Sequence, residues 1–478
     1  MAPFPSELNG VNGSMQLAIV IMAAGKGTRL KSRRAKVLHE IGGQSLLRHV
    51  IGAATQLVLP RDVFVVVGHQ AEQVESAVAD TGVRFIVQKE QRGTGHAILT
   101  ARPDVEGYEN IIVLSGDAPL ITPETLLRLR DFHLAEVAAM TIVTACPHDA
   151  TGYGRVVRKT AGFPEVTAIV EQKALSAAQQ ELREINSGIY AFRTEPLFKH
   201  IGEIATDNAH AEYYLTDMAG ILVEAGERVL ALEVADVNEV LGANTIAEMM
   251  QLDAAMRMRK AQELMAAGVT IFRPETSVID AAVTIAADTV LEPFVQLLGR
   301  TRIGAECRIR SYSVLEDVTL GDKVLVRHGS ILTQSSIASH AVIGPYAHIR
   351  PESEIGEGAH VGNFVETKKA RLGAGAKANH LSYLGDTEVG SGTNIGAGTI
   401  TCNYDGHNKH RTVIGSNSFI GSDATLVAPL AIADNAYIAA GSTITEDVPA
   451  DALAFGRARQ TTKEGWGRRL REGRGAKE

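Results

Sequence analysis

From about residue 278 onward an aliphatic residue recurs every six positions. Leu297, Ile303, Ile309 and Leu315 form one series, and Ile343, Ile349, Ile355 and Val361 form another. Ile414, Ile420, Leu426, Ile432, Ile438 and Ile444 then run six in a row. Glycine often follows the aliphatic, as at Ile303, Ile343, Ile355, Ile395 and Ile414. A six-residue period is the signature of a parallel β-helix, with one short strand per repeat and the aliphatic directed into the coil. An ordinary strand-rich domain would have to reach this spacing by accident, and six consecutive hits in one phase argue against that. Two stretches break the period: NHLSYLGD (379–386) and TCNYDGHNKHRT (401–412) concentrate polar and aromatic residues. Insertions in solenoids map to loops on one face, often the binding face.

The first half has a different grammar. LAIVIMAA (17–24), VFVVVG (63–68), VRFIVQ (83–88), NIIVLSGD (110–117) and MTIVTA (140–145) are near-continuous apolar runs, the pattern of strands covered on both faces. Helical stretches such as 44–57 and 123–138 lie between them. This alternation implies an α/β doubly wound, Rossmann-like, mostly parallel sheet with its ligand site at the carboxyl ends of the strands. Residues 245–267 form a long helical run. The expected organisation is therefore an extension over 1–15, a nucleotide-binding domain over 16–244, a helical arm over 245–268, and a left-handed β-helix with a tail over 269–478. The extension is expected to be disordered, because it holds too little apolar surface to offset chain entropy.

Composition excludes several classes. The net charge of -8 and pI near 6.0 argue against nucleic acid as a partner, since no basic excess could neutralise a phosphate backbone. No apolar run approaches the roughly 20 residues that span a bilayer, so no membrane association is expected. Cys146, Cys307 and Cys402 are widely spread without a CxxC pair, which fits a reducing, cytoplasmic setting. The first 25 residues contain no Lys or Arg, so Leu17 to Ala24 reads as a buried strand rather than a secretory signal.

The stretch IMAAGKGTRLKSRRAKVL (21–38) places Gly25 and Gly27 among Lys26, Arg29 and Lys36, behind a strand. Glycine lets the backbone approach phosphates and offer N–H donors. By itself the loop reads either as a phosphate cradle or as a solvated cationic surface. Asp117 follows a strand, where a carboxylate can hold a cation at the sheet's edge or cap the turn before Pro119; the residues alone leave both open.

The motifs AAGKGTRL, QRGTGHA, LSGDAPL, TGYGR, INSGIY and NAHAEYYLTD resemble, in order, the sugar-nucleotide pyrophosphorylase domain. RPESEIGEGAHVGNFVETKKARLG, HLSYLGD and NIGAGTITCNYDG resemble a hexapeptide-repeat acetyltransferase. Together, over about residues 16–466, they resemble the family of bifunctional bacterial N-acetylglucosamine-1-phosphate uridyltransferases / glucosamine-1-phosphate N-acetyltransferases. Such enzymes supply UDP-N-acetylglucosamine for peptidoglycan and lipopolysaccharide. Two positions depart from the family pattern: Ala35 stands where proline is usual, and Ser115 where a larger Tyr or Asn can occur.

The resemblance implies a site for UTP and the sugar nucleotide at Met22, Ala23, Ala24, Gly25, Lys36, Gln88, Gly93, Thr94, Ser115, Gly116 and Asp117, with Gln88 and the turn through Gly95 recognising uracil. It implies Gly154, Glu171 and Asn186 on the sugar, and a magnesium ion shared by Asp117 and Asn244. Lys36 and Arg29 would stabilise the charge in uridylyl transfer, which needs no protein nucleophile. For acetyl transfer it implies His380 as general base, oriented or polarised by Glu366. Arg350, Lys368, Tyr383 and Asn394 would bind glucosamine-1-phosphate. Ala397, Asn403, Tyr404, Ser422, Ala440 and Arg457 would line an acetyl-CoA groove. Cys402 beside that groove admits a covalent acyl-enzyme, although the family transfers directly. A homotrimer is implied, with Arg457 and Trp466, the only tryptophan, on a cationic strand that completes a neighbour's site. Two rival readings are a single-function nucleotidyltransferase with a structural β-helix, and a non-catalytic scaffold. The cluster of His380, Lys368 and Arg350 argues against the first, and Asp117 with Lys36 against the second.

Overall fold

The computed structural model describes residues 15–206 and 212–473. The expected extension up to residue 14, residues 208–211 of the motif NAHAEYYLTD, and positions 474–478 of the tail lie outside the described residues. The chain forms two compact units that part between Met256 and Arg257, inside the long helix Ile246–Ala266.

The first unit is built on a nine-stranded sheet. Seven strands lie in the order Val229–Glu233, Met140–Ala145, Ile185–Arg193, Tyr108–Ser115, Met15–Met22, Val63–Val67 and Arg84–Val87. A hairpin of Arg155–Arg158 and Val166–Val170 joins beside Ile185. The central strands are parallel. Successive residues alternate between two cores. Ala18, Val20, Phe64, Val66, Ile111 and Val113 pack on one face, and Ile19, Ile21, Val65, Ile112 and Leu114 on the other. Both faces are covered, which is why these strands read as unbroken apolar runs. Ile185–Arg193 is the exception, antiparallel to both neighbours. The apolar pattern does not reveal it, because Asn186, Ser187 and Gly188 interrupt the run where the register slips.

The second unit is a left-handed parallel β-helix. Strands of two to four residues stack into three parallel sheets of eleven, ten and nine strands. The expected aliphatics form one continuous interior column, with Leu297, Ile309, Leu315, Ile343, Ile349, Val361, Ile420, Leu426 and Ile438 at 0% exposure. Coils are not all of one length: Val290 pairs with Arg308, 18 positions on, and Arg302 with Thr319, 17 on. The step between inward residues therefore drops to five at Leu315–Leu320, Leu332–Ile337 and Leu384–Val389, and the simple period loses phase there.

Two expectations need correction. NHLSYLGD is not an insertion: Lys377–His380 and Tyr383–Gly385 are strands in register on adjacent faces, with Ala378 and Leu384 buried six apart. Its polar residues are the outward positions of an unbroken coil. The second stretch does leave the coil, since Thr387 pairs with Thr412, 25 positions on. The tail around Trp466 is a helix, Trp466–Glu472, and not a strand.

Candidate functional site

At the carboxyl edge of the first sheet, Met22 lies beside Val66 and Ser115 on the neighbouring strands. Ala23 N donates to Val66 O at 2.9 Å, and Gly116 N to Met22 O at 3.0 Å. A Cβ on Gly116 would sit 2.9 Å from Met22 O, so only glycine lets the two chain ends close together. The loop then leaves through Ala24, Gly25 and Lys26. Gly27 adopts φ 59°, and a Cβ there would lie 2.6 Å from Lys36 Cβ. Glycine thus serves twice at this point, accepting a left-handed backbone and admitting the lysine.

Four of the expected residues converge. Asn244 Oδ1 accepts from Arg29 Nη2 at 2.6 Å and from Lys36 Nζ at 2.9 Å. Lys36 also forms a close ion pair with Asp117. Asn244 is brought there by the backbone, since Ala243 N donates to Asp117 O at 3.1 Å, and a Cβ on Gly242 would be 3.0 Å from Asp117 Oδ2. Its own N–H is held by Glu248 Oε2 at 2.8 Å. One carboxylate and one amide oxygen therefore share the Lys36 ammonium, and such hard oxygen donors suit magnesium, which needs few protein ligands. Among the described residues no cluster of three or more His, Cys, Asp or Glu side chains could hold a metal alone.

Gln88 is buried at the end of its strand, with Nε2 3.2 Å from Gly93 O and 3.0 Å from His96 Nδ1. The turn it braces is strapped down: Gly95 N donates to Tyr213 O at 2.8 Å, and Leu215 N to Thr94 Oγ1 at 2.9 Å. A Cβ on Gly93 would lie 2.6 Å from Tyr213 O. Further along the edge, Asn186 N donates to Gly154 O at 2.9 Å, while Asn186 Nδ2 donates to Tyr190 Oη at 2.9 Å. Burial pushes the Tyr190 phenol up, so it stays protonated. Glu171 lies next to Gly154, 3.6 Å from where its Cβ would be. Sequence reading missed Tyr190, His96 and Tyr213, whose signals are indistinguishable from core and loop aromatics.

In the β-helix, His380 ends its strand with an exposed ring. Its Nδ1 lies 2.7 Å from Asn363 Oδ1, the residue paired with it on the preceding coil. Glu366, expected to orient the histidine, instead holds Arg350 at 2.6 Å. The orienting partner is Asn363, which sequence reading missed because an asparagine in a coil repeat looks like a turn residue.

Arg350, Lys368 and Lys409 converge. The nearby Lys409 ammonium, and then Arg350, hold the Lys368 amine below its usual range. Lys409 comes from the inserted loop, which is shaped locally. Asp405 Oδ1 accepts from His407 N at 2.7 Å and Asn408 N at 2.6 Å, its Oδ2 meets His410 Nε2 at 2.6 Å, and Tyr404 bridges Lys409. Those donors hold the Asp405 carboxyl well below the usual carboxylate range. Asn403 donates to Asp386 at the base of the loop. A Cβ on Gly385 would lie 2.5 Å from Tyr383 Oη and 2.8 Å from Asn403 Nδ2.

Asn394 stands outward on the same sheet as His380's strand. Ala397, Ser422 and Ala440 occupy equivalent corners of successive coils. Asp423 N donates to Ala397 O at 2.7 Å, and Gly441 N to Ser422 O at 2.8 Å. Arg457 follows, with Cδ 4.0 Å from a Cβ built on Gly441.

Comparison with known proteins agrees with both halves. Residues 19–186 match the MobA-like NTP transferase domain, and residues 335–369 and 411–446 match the bacterial transferase hexapeptide (six repeats). The chain is 58% identical to "Bifunctional protein GlmU" of Koribacter versatilis (strain Ellin345), over 95% of this chain and 97% of that one. It is 50% identical to the protein of the same name from Solibacter usitatus (strain Ellin6076), over 95% and 98%. It is 46% identical to that of Streptococcus equi subsp. zooepidemicus (strain ATCC 35246 / C74-63), over 94% and 97%. The chain belongs to the GlmU family of bifunctional uridylyltransferases and acetyltransferases.

Proposed function

We propose that the chain makes UDP-N-acetylglucosamine in two steps, one on each unit, with the residues named above in the following roles. The observation that carries the uridylyl assignment is the meeting of Arg29, Lys36, Asp117 and Asn244 at one sheet edge, from segments over 200 positions apart.

In the first step, glucosamine-1-phosphate sits with its phosphate against Arg350, Lys368 and Lys409, where three cations offset its charge. Asn363 accepts the proton of His380 Nδ1, which leaves Nε2 free to accept one. As the sugar amine attacks the acetyl-CoA thioester, its nitrogen bonds to the carbonyl carbon and the C–S bond breaks. His380 Nε2 takes the amine proton and returns it to the departing CoA sulfur. Acetyl-CoA lies along the Ala397–Ser422–Ala440 corner, with Asn403, Tyr404 and Arg457 beside it; Tyr383 and Asn394 position the sugar.

In the second step, an oxygen of N-acetylglucosamine-1-phosphate attacks the α-phosphorus of UTP, and the bond to the β-phosphate oxygen breaks in line, releasing pyrophosphate. Gln88 and the strapped Gly93–Thr94 turn read the uracil. Asn186, fixed by Tyr190 and Gly188, holds the sugar with Glu171 and Gly154. Lys36 and Arg29 neutralise the charge that builds on the phosphates. The pairing of Lys36 with Asp117 keeps both charges compensated before substrate arrives. Magnesium, held by Asp117 and Asn244, supplies Lewis-acid charge stabilisation when bound.

The acetyl site is completed by other copies in a homotrimer. What supports this is a corner of exposed aromatics. Phe294 stacks on Tyr312 at 5.2 Å and Tyr346 on Phe364 at 5.8 Å, with Leu381 62% exposed in line below them. A contiguous apolar stripe of this kind calls for a partner surface, and it ends beside His380. Trp466, half-exposed under Lys463 at 5.1 Å, and Arg457 would reach a neighbour's site. No helix among the described residues is long and apolar enough to cross a membrane, and the substrates and reduced cysteines suit the cytosol. Following CoA and pyrophosphate release separately, with glucosamine-1-phosphate, acetyl-CoA, UTP and magnesium supplied, tests the two-step reading.

A further inference from the structure

Lys409 is an exposed residue whose ammonium stands among like charges, those of Lys368 and Arg350. Like charges repel, and holding a long side chain in one place costs rotamer freedom. A lysine on an open loop would therefore turn its head toward water unless the loop restrained it. The hairpin that carries Lys409 supplies such a restraint. Its two arms meet where His410 N donates to Asn403 O at 2.8 Å and Asp405 N donates to Asn408 O at 3.2 Å. Tyr404 bridges Lys409 across the arms, and its hydroxyl donates to Gly406 O at 2.6 Å.

Asp405 gathers three donors at the turn. Its Oδ1 accepts from His407 N and Asn408 N, and its Oδ2 meets His410 Nε2 at 2.6 Å. The carboxyl stays ionised, held low first by Asn408 N and then by the His410 ring. An ionised carboxylate only accepts, so His410 Nε2 carries the proton of this bond. The two backbone bonds merely close the turn, as an aspartate does in many loops. The ring bond is different: it ties the outgoing arm, one residue beyond Lys409, back to the turn. We propose that His410 is a positioning residue for acetyl transfer. Its bond to Asp405 holds the outgoing arm and keeps the Lys409 ammonium beside Lys368 and Arg350, where the phosphate of glucosamine-1-phosphate binds. This rests on the phosphate role proposed for Lys409. The bond forms with the neutral Nε2–H ring as well as with the imidazolium, so an uncharged donor of similar reach can replace the histidine.

Steady-state acetyl transfer by the full chain tests this, with circular dichroism and pyrophosphate release as the check on folding. His410→Ala should raise the KM for glucosamine-1-phosphate about three- to tenfold, with a smaller change in kcat. His410→Gln, whose amide can donate to Asp405, should recover most of that loss. The Lys368 amine, followed by NMR, should titrate at higher pH in His410→Ala, because Lys409 has moved away from it. Lys409→Gln should raise the same KM, and adding His410→Ala to it should raise it no further. If Lys409→Gln raises the KM while His410→Ala does not, or if the two effects multiply, the positioning role is overturned. If Lys409→Gln leaves the KM unchanged, the phosphate reading of Lys409 fails instead. The Lys368 titration then decides the positioning role by itself: a rise in His410→Ala supports it, and an unmoved amine overturns it.

Discussion

Asn363 Oδ1 lies 2.7 Å from His380 Nδ1, and the two residues are paired across adjacent coils of the β-helix. The parallel register that stacks the coils thereby also fixes the tautomer of His380, the base proposed for acetyl transfer. Asn363→Ala should lower kcat/KM for acetyl transfer by about ten- to hundredfold, as removal of an orienting partner does. Asn363→Asp should restore much of the rate but move the acid limb of the pH profile upward. The sign follows from the base: a carboxylate beside the ring stabilises the imidazolium and raises its pKa, and a base that must be neutral is lost at a higher pH. An unmoved acid limb would argue that Asn363 is merely structural.

Lys409 reaches Arg350 and Lys368 only because the inserted loop brings it there, and its charge depresses Lys368. Lys409→Gln should raise the KM for glucosamine-1-phosphate by about tenfold with a smaller change in kcat, the mark of lost ground-state binding. The Lys368 amine should titrate at higher pH in this variant, since its nearest like charge is gone. Steady-state kinetics and NMR of the lysine amines check both.

Ala35 occupies a position that suits proline, with φ -53° and ψ 137°. Ala35→Pro removes conformational freedom from the unfolded chain without asking the loop to move. It should stabilise the first unit by about 0.4–1 kcal/mol, read as a rise in the denaturant midpoint with uridylyl transfer retained. A lower midpoint would show that the buried site cannot admit the ring.

How much of this was legible in the sequence depends on the range of the interaction. The interior column of the β-helix could be read directly, because Leu297 or Ile438 is buried by a local period. The continuous strands around Ile19 and Ile112 could be read because both their faces are covered. The sheet's antiparallel strand could not, since Asn186, Ser187 and Gly188 interrupt the apolar pattern where the register slips. Glu366 illustrates the limit more sharply. The resemblance implies that it orients His380, but one-coil register decides that it meets Arg350 and that Asn363 meets the histidine. NHLSYLGD looked like an interruption because single five-residue steps, such as Leu384–Val389, break the six-residue period, which only the stacked coils reveal.

The aromatic corner gives a prediction about assembly. Tyr346 and Phe364 stack in the open at 5.8 Å, 57% and 58% exposed. Replacing both with aspartate places charge in any surface that covers them. Light scattering should show the proposed trimer falling to smaller species, with acetyl transfer lost and uridylyl transfer kept. An unaltered mass would exclude this corner from the interface.

The most direct test of two independent chemistries on one chain is the paired assay of Asp117→Ala and His380→Ala, following pyrophosphate and CoA in separate channels with each step's own substrate supplied. Asp117→Ala should cut pyrophosphate release about a hundredfold or more and leave CoA release nearly unchanged; His380→Ala should do the reverse. Equal loss of both products in either folded variant would contradict the account.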